Sequence, residues 1–345
     1  MEKKTVMTIL KYVLSIALGA GLLWLAVRGV NFEAVKAGFR SADYIWVGLA
    51  LLCVLASHAL RAARWQILLK AAGYESRVLH LFASVMVGIM VNKAIPRAGE
   101  LSRASLSAQT EKIPLSTSLG TLVTDRVFDV LVLGLLVLVI LVPQMDDLAM
   151  IFEGQEGARS AAQSIFARKW MLVVLIGLPV LALSVFLIFR KTIVTTKLFR
   201  AIQAFIKKMW EAMKSVRRME NPGRFIMYTI GIWLGYFFNT YLVFLALDST
   251  QDLSVFFVLT AFTMGTIGMV VPTPGGIGSY HFAIIMTFVA FADSLGFTEE
   301  SARSAGTSIA FIIHTAQLIM VLVVGFLSYL YLLPKLRLAQ RETAS

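Results

Sequence analysis

Six long apolar runs, separated by short charged connectors, constrain what this chain can fold into more than any other feature. Each run reaches or approaches the roughly 20 residues that an α-helix needs to cross the hydrocarbon core of a bilayer. Charged residues make up 15% of the 345 residues, whereas soluble domains carry roughly 25%, so no segment has room for a water-soluble core. We therefore predict an all-α, polytopic membrane protein whose six full spans cover residues 10–27, 44–60, 115–142, 170–189, 225–247 and 309–333.

Two further apolar segments, 78–95 and 253–271, run into clusters of proline and glycine. Proline removes a backbone donor and interrupts a helix, and glycine permits turn conformations. Irregular backbone at membrane depth is tolerated only inside the protein or along a water-filled cavity. We predict that each segment is one arm of a broken-helix hairpin, with breaks at Pro96 and Gly99 in the first and at Pro272, Pro274, Gly275, Gly276 and Gly278 in the second.

The basic residues predict which connectors face the cytoplasm, because cytoplasmic connectors of membrane proteins are enriched in Lys and Arg. The loop 190–224 and the tail 334–345 are predicted to be cytoplasmic on this ground, and so are both termini. The connectors that begin at Asp146, Asp248 and Asp293 are predicted to lie outside. The connector after the second span is also predicted to be cytoplasmic, and it holds Arg61, Arg64, Lys70 and Arg77.

A count of crossings then decides the path of the first hairpin. Between Arg77 on the inside and Asp146 on the outside, the chain must cross the membrane an odd number of times. The run 115–142 already supplies one crossing, so we predict that 78–95 enters from the cytoplasm and returns. Arg77 and Lys112 are therefore expected on the same side. For the second hairpin, either a re-entrant path or two full spans satisfies the count.

These assignments divide the chain into two units of opposite orientation. Residues 1–345 are predicted to form a single transmembrane domain, with a first half at 28–189 that contains the unit 44–142, and a second unit at 225–333. Broken apolar segments at matching positions of two inverted units are typical of transporter binding sites near the middle of the membrane. Between the units, the loop 190–224 is predicted to carry a basic amphipathic helix on the inner leaflet.

The first break carries a concentration of polar residues that suits an anionic group. The helix that begins after Gly99 presents free amides and a partial positive charge, and arginine binds phosphate with two parallel hydrogen bonds. A cytoplasmic loop with ordinary positive-inside charges is the alternative. The candidate residues at this break are Asn92, Arg97, Gly99, Glu100 and Arg103.

Charged residues also lie inside the run 115–142. Asp125 and Asp129 are one helical turn apart and share a face, with Arg126 between them. Charge within the membrane is costly, so a functional or a paired role is the default expectation. The two alternatives are a place in the site and a buried structural ion pair, for example between Arg126 and Glu100.

His281 follows the second break, and His314 lies in the last predicted span. Either histidine could shuttle a proton or form a hydrogen bond between helices. The inverted arrangement predicts that the two rings face one another across the cavity.

Several classes of function are excluded or not supported. The net charge of +12 follows from residues beside spans, as the positive-inside rule requires, so we expect no nucleic-acid partner. The second break lacks the Lys-Ser/Thr pair of a nucleotide P-loop. Two histidines and one cysteine make no metal-binding cluster, and no nucleophile constellation is present. We expect no cofactor, no metal and no enzymatic activity.

Four ordered motifs give the chain a family resemblance. They are HALRAARW at 58–65, Asn92 with PRAGELSR at 96–103, TDRVFD at 124–129 and PTPGGIG at 272–278. Together they resemble the lysylphosphatidylglycerol synthase transmembrane region, a flippase-like group, and the resemblance extends from about residue 44 to residue 333. Its arginine-containing first motif adds Arg61 and Arg64 to the candidate site. The family often has Glu where His281 stands and Arg near His314, so this chain departs from the pattern at both positions.

The resemblance implies lipid translocation in a multi-pass protein of the cytoplasmic (inner) membrane, with membrane phospholipids as partners. In the full-length synthases a soluble domain adds lysine to phosphatidylglycerol. Because this chain ends twelve residues after Leu333, we expect that domain to be absent. The alternative function is a non-transporting anchor or regulator of a lipid- or glycan-synthesising enzyme. The oligomeric state stays open, a homodimer included.

Overall fold

The structure, a computed structural model, describes residues 3–95, 98–141 and 219–344. This part of the chain is all-helical, as predicted, with two short 3-10 turns at Pro274–Gly276 and Asp293–Leu295 and no strand. The described α-helices are α1 (Lys3–Val27), α2 (Phe32–Ser41), α3 (Tyr44–Ala71), α4 (Val78–Ala94), α5 (Ala98–Thr110), α6 (Leu115–Leu141), α7 (Pro222–Leu245), α8 (Val255–Val270), α9 (Ser279–Ala290) and α10 (Glu299–Ala344).

The predicted spans agree with these helices except at a few ends. Helix α3 continues well past residue 60, so the prediction that Arg61 and Arg64 lie in a cytoplasmic connector is wrong. Both arginines are inside the helix and buried, because two carboxylates on α6 compensate their charge. The predicted span 170–189 and the amphipathic helix of the loop 190–224 fall mainly outside the described residues.

Length and composition identify the membrane-crossing helices. Among the described helices, α3, α7 and α10 are long and apolar enough to cross a bilayer. Helices α1 and α2 would together count as a fourth, broken span, since they meet at an angle of 91°. Helix α6 is 27 residues long, or about 40 Å at the rise of an α-helix, but it carries three charged residues.

Helices α4 and α5 form the first hairpin, whose arms approach closely through glycine. A methyl group added to Gly88 would lie 2.7 Å from the carbonyl oxygen of Gly99, and one added to Gly99 would overlap the carbonyl oxygen of Gly88. Only glycine allows two backbones to come this near. The Asn92 side chain accepts a hydrogen bond from the Gly99 N–H at 3.3 Å, so it satisfies a free amide at the start of α5.

Helix α8, the 3-10 turn at 274–276 and helix α9 form the second hairpin. Gly275, Gly276 and Gly278 all have positive φ angles, between 58° and 85°, which side-chain-bearing residues adopt only at a cost. The arms contain 16 and 12 residues, or about 24 and 18 Å, so each is shorter than the roughly 30 Å hydrocarbon core. The open ends of the hairpin lie together, with the Phe257 and Phe291 rings 5.6 Å apart.

Contacts between connectors group the helix ends. The Arg77 N–H donates to Glu111 at 3.1 Å, which confirms that Arg77 and the neighbouring Lys112 lie on the same side of the helix bundle. At the other end of α3, the Asp43 N–H donates to the Ala246 carbonyl at 2.9 Å.

The tips of the two hairpins meet near the middle of the bundle. The Lys93 ammonium group donates to the Gly275 carbonyl at 3.3 Å. Helix α1 crosses this junction: the Tyr12 hydroxyl donates to the Ala94 carbonyl at 2.8 Å, and the Ser15 hydroxyl donates to the Pro272 carbonyl at 2.5 Å. These bonds satisfy carbonyl groups that the broken helices leave free.

Candidate functional site

A cavity of about 540 Å³ lies where the two hairpins meet, and side chains from α3, α6, α7 and α10 also line it. Residues of both breaks line it, including Asn92 and Gly99 from the first and Gly275 and Gly276 from the second. The sequence therefore identified the two segments that form the cavity.

Two arginines and two aspartates form the centre of an ion cluster beside the cavity. Arg61 and Arg64 lie one turn apart on α3, and Asp125 and Asp129 lie one turn apart on α6. The Arg64 guanidinium binds Asp125 at 2.6 Å and Asp129 at 2.8 Å, and that of Arg61 binds Asp129 at 2.7 Å and Asp125 at 3.3 Å. Each aspartate thus bridges both arginines.

Further hydrogen bonds hold the two guanidinium groups of this cluster. Arg64 is fully buried, and it donates to the Thr229 hydroxyl at 3.2 Å and to the Asp125 carbonyl at 3.3 Å. The Arg61 Nε donates to the Tyr236 hydroxyl at 3.3 Å. Buried charges are tolerated when their partners are close and fully hydrogen-bonded, so these four residues tie α3 to α6 and α7.

Arg103 on α5 is a fifth buried charge, but its partners are incomplete. Its guanidinium lies over the Trp65 ring, 4.0 Å from the centroid, and Nη1 is 3.5 Å from an Asp125 oxygen. Its Nε and Nη2 have no hydrogen-bond partner among the described residues, although the side chain is only 4% exposed. Arg103 lines the cavity, and a buried guanidinium with two nitrogens that lack hydrogen-bond partners is suited to a further anion.

Arg126 and Glu100 form an ion pair between α6 and α5 at 2.7 Å. This is the pair that the sequence offered as the structural alternative, but it is not buried, since both side chains are about half exposed. Arg126 also approaches Asp129 at 3.3 Å. Both partners line the cavity, where an exposed pair exchanges partners more easily than a buried one.

The structure places His281 and His314 side by side, so the two rings are close as predicted, but they do not face one another across the cavity. The ring centroids are 4.9 Å apart and the rings are inclined by 26°. His314 lines the cavity, whereas His281 packs behind it against Phe311, with centroids 4.4 Å apart. His281 Nδ1 and His314 Nε2 have no hydrogen-bond partner among the described residues.

The structure brings most of the predicted site residues to one place. Around the cavity lie Arg61, Arg64, Asn92, Gly99, Glu100, Arg103, Asp125, Arg126, Asp129 and His314, with His281 one layer behind. Pro96 and Arg97 lie outside the described residues. Three other lining residues, Lys93, His58 and Tyr236, were not among the predicted set. The signal for Lys93 was present, because a lysine within an apolar segment is itself a functional hypothesis.

No group of three or more potential metal ligands occurs in the described ranges. The lining of the cavity between the two broken helices includes Arg61, Arg103 and Arg126, a residue type that suits an anionic group.

Comparisons with known proteins agree with the motifs. A family model described as "Lysylphosphatidylglycerol synthase TM region" matches residues 12–325. The chain is 22% identical over 289 residues to a UPF0104 membrane protein of Methanothermobacter thermautotrophicus, an alignment that covers 75% of this chain and 79% of that protein. A UPF0104 membrane protein of Methanocaldococcus jannaschii is 30% identical over 87 residues, or 24% of this chain and 26% of that protein.

A third relative has a name that states an activity. The chain is 25% identical over 277 residues to the glycosyltransferase AglD of Haloferax volcanii, which covers 73% of this chain and 44% of that protein. No solved structure shows significant similarity to the chain.

Proposed function

The chain belongs to the lysylphosphatidylglycerol synthase transmembrane region family, and from this premise we propose that it translocates a lipid with an anionic headgroup. The headgroup enters the cavity between the two breaks, while the acyl chains stay in the bilayer. We propose a transporter and not an enzyme.

One observation carries the proposal: a cavity lined by both broken helices is also lined by Arg103, whose Nε and Nη2 have no hydrogen-bond partner among the described residues. A polar cavity at membrane depth lowers the cost of moving a charged group through hydrocarbon, because fixed charges replace its water. Helices interrupted near the middle of the membrane supply free backbone groups for the same purpose.

The proposed architecture is two inverted units with six full spans and two re-entrant hairpins. The short arms of the second hairpin and the closeness of its open ends support a re-entrant path. The first hairpin opens beside Arg77 and Glu111. The second hairpin opens in the apolar cluster that contains Ala42 and Ala246, at the other end of α3. Hairpins that open toward opposite faces would allow alternating access.

We propose a cytoplasmic-membrane location with both termini in the cytoplasm. On a background without Cys53, single cysteines at positions 77 and 112 should react with an impermeant thiol reagent from the cytoplasmic side only. A cysteine at position 248, in an opposite connector, should react from the outside only. Labelling of both positions 77 and 112 from the outside would refute the orientation, and labelling of position 112 alone from the outside would refute the re-entrant first hairpin.

The direct test is transport in proteoliposomes that contain fluorescent phosphatidylglycerol, phosphatidylethanolamine and phosphatidylcholine. Membrane-impermeant quenching measures the fraction of label that reaches the outer leaflet. Anionic lipid should move at least about tenfold faster than in empty vesicles, and Arg103→Gln should remove most of this increase. Arg40→Gln, an exposed arginine on α2, is the matched control and should transport normally. Equal rates with and without protein would refute translocation.

The similarity to a glycosyltransferase favours one second candidate function. In this alternative the chain anchors or regulates a lipid- or glycan-synthesising enzyme, and the cavity holds a lipid without moving it. A lack of transport, together with co-purification of such an enzyme that Arg103→Gln abolishes, would favour the anchor.

A further inference from the structure

The charges around the cavity do not cancel. Asp125, Asp129 and Glu100 are the carboxylates of this cluster in the described part of the chain. Its cations are Arg61, Arg64, Lys93, Arg103 and Arg126. With the histidines neutral, two positive charges remain without a carboxylate.

The pairing pattern locates the two uncompensated charges. Asp125 and Asp129 lie within 3 Å of Arg64 or Arg61, and Glu100 binds Arg126 at 2.7 Å. Arg103 has only a 3.5 Å contact to an aspartate that is already bound more closely by Arg64. Lys93 donates to a backbone carbonyl, that of Gly275.

The same pattern determines what the cavity disfavours. Each carboxylate of the cluster is bound by at least one arginine, so a ligand ammonium group would have to displace an arginine to reach one. A headgroup that carries amino groups would bring like charge to Lys93 and Arg103 and would be repelled.

We propose that the preferred ligand is a lipid that ends in a phosphomonoester and carries no amino group. A phosphomonoester bears about −1.5 to −2 charges near pH 7 and three acceptor oxygens, whereas the phosphodiester of an ordinary phospholipid bears one charge. Its two charges therefore equal in number the two uncompensated cations, Arg103 and Lys93, that line the cavity. This inference rests on the proposed function for its site, but it concerns selectivity and not movement.

Binding to the purified full chain in detergent tests the selectivity without requiring transport. The matched probes are dioctanoyl phosphatidic acid and dioctanoyl phosphatidylmethanol, which differ by one methyl ester and therefore by one charge. We expect the acid to bind at least about tenfold more tightly, and lysylated phosphatidylglycerol to bind more weakly than either. Geranylgeranyl phosphate, measured in parallel, shows whether the protein prefers a phosphate attached to a diacylglycerol or to an isoprenoid. Tight binding of either phosphomonoester supports the proposal.

Lys93→Gln removes one charge but keeps an N–H donor for the Gly275 carbonyl. It should reduce the ratio of the two affinities to about threefold or less. Lys36→Gln, an exposed lysine on α2, should leave the ratio unchanged. If Lys93→Gln does not fold, Arg103→Gln carries the same expectation. Equal affinities of the two dioctanoyl probes in the wild type, with no tighter binding of geranylgeranyl phosphate, would overturn the proposal, and so would an unchanged ratio in the folded variant.

Translocation and the phosphomonoester site can be refuted separately. Selective binding without transport in vesicles would refute translocation and support the phosphomonoester site. Transport of all lipids, with no preference in binding, would support translocation and refute the phosphomonoester site.

Discussion

The ion cluster predicts that removing an aspartate and removing an arginine have very different effects on stability. Within its core, Arg61, Arg64 and Arg103 face Asp125 and Asp129. Asp125→Asn leaves three arginines around one carboxylate, whereas Arg103→Gln leaves two arginines and two carboxylates. The first change increases the imbalance of charge, and the second removes it.

The size of each effect follows from the contacts. The Asp125 side chain is fully buried and accepts hydrogen bonds from Arg64 at 2.8 Å and Arg61 at 3.3 Å. Removing one member of a buried ion pair costs about 3–5 kcal/mol. Arg103 loses a cation–π contact of about 0.5–2 kcal/mol and a 3.5 Å ion contact, but the repulsion from Arg61 and Arg64 is lost too. We therefore expect Arg103→Gln to change the free energy of unfolding by less than about 2 kcal/mol.

A thiol-reactive dye can measure unfolding, since Cys53 is the single cysteine of the chain and is partly buried. At one scan rate, Asp125→Asn should lower the apparent Tm by about 10 °C, and Arg103→Gln by no more than a few degrees. Asp248→Asn, an exposed aspartate in a connector, is the matched control and should have no effect. Equal losses for the two site variants would refute the view that Arg103 is reserved for a ligand.

Two further predictions concern the hairpins. Gly99→Ala should destabilise the protein by about 1–3 kcal/mol through overpacking. Gly120→Ala, where an added methyl group meets no atom within 4 Å, should be neutral or stabilising by up to about 1 kcal/mol. Unfolding monitored at Cys53 compares the two variants, and equal effects would argue against the close approach of the two arms. Replacing both His281 and His314 by Gln should remove the pH dependence of transport that we expect from protonation of the pair in acid, and a dependence that survives in this variant would exclude the pair as the proton-sensitive element.

The breaks were predictable from the sequence because proline and glycine act locally. Pro272 and the glycines that follow interrupt a helix whatever surrounds them, so the position of the second break needed no tertiary information. The predicted side of Arg77 and Lys112 followed from charge and parity in the same way. The closing of the arms through Gly88 and Gly99 was not predictable, because it depends on which faces of two helices meet.

The end of α3 shows why a local rule fails where charges pair across space. Counting Arg61 and Arg64 as cytoplasmic charges was reasonable for arginines that follow an apolar run. The helix continues because Asp125 and Asp129, more than sixty positions away in the sequence, bind both guanidinium groups. Only the family resemblance placed these arginines in the site, whereas the charge pattern alone predicted a cytoplasmic connector.

The same reasoning explains how helix α6 relates to function. Its three charged residues, Asp125, Arg126 and Asp129, are more charge than an ordinary apolar span carries. Yet each faces a partner on another helix: the aspartates bind α3, and Arg126 binds Glu100 on α5. The charges that make α6 a poor membrane span are therefore those that join α6 to α3 and to the first hairpin. A ligand phosphate that draws Arg126 or Arg103 toward itself would act on this connection directly, which is how binding in the cavity could move one hairpin relative to the other helices.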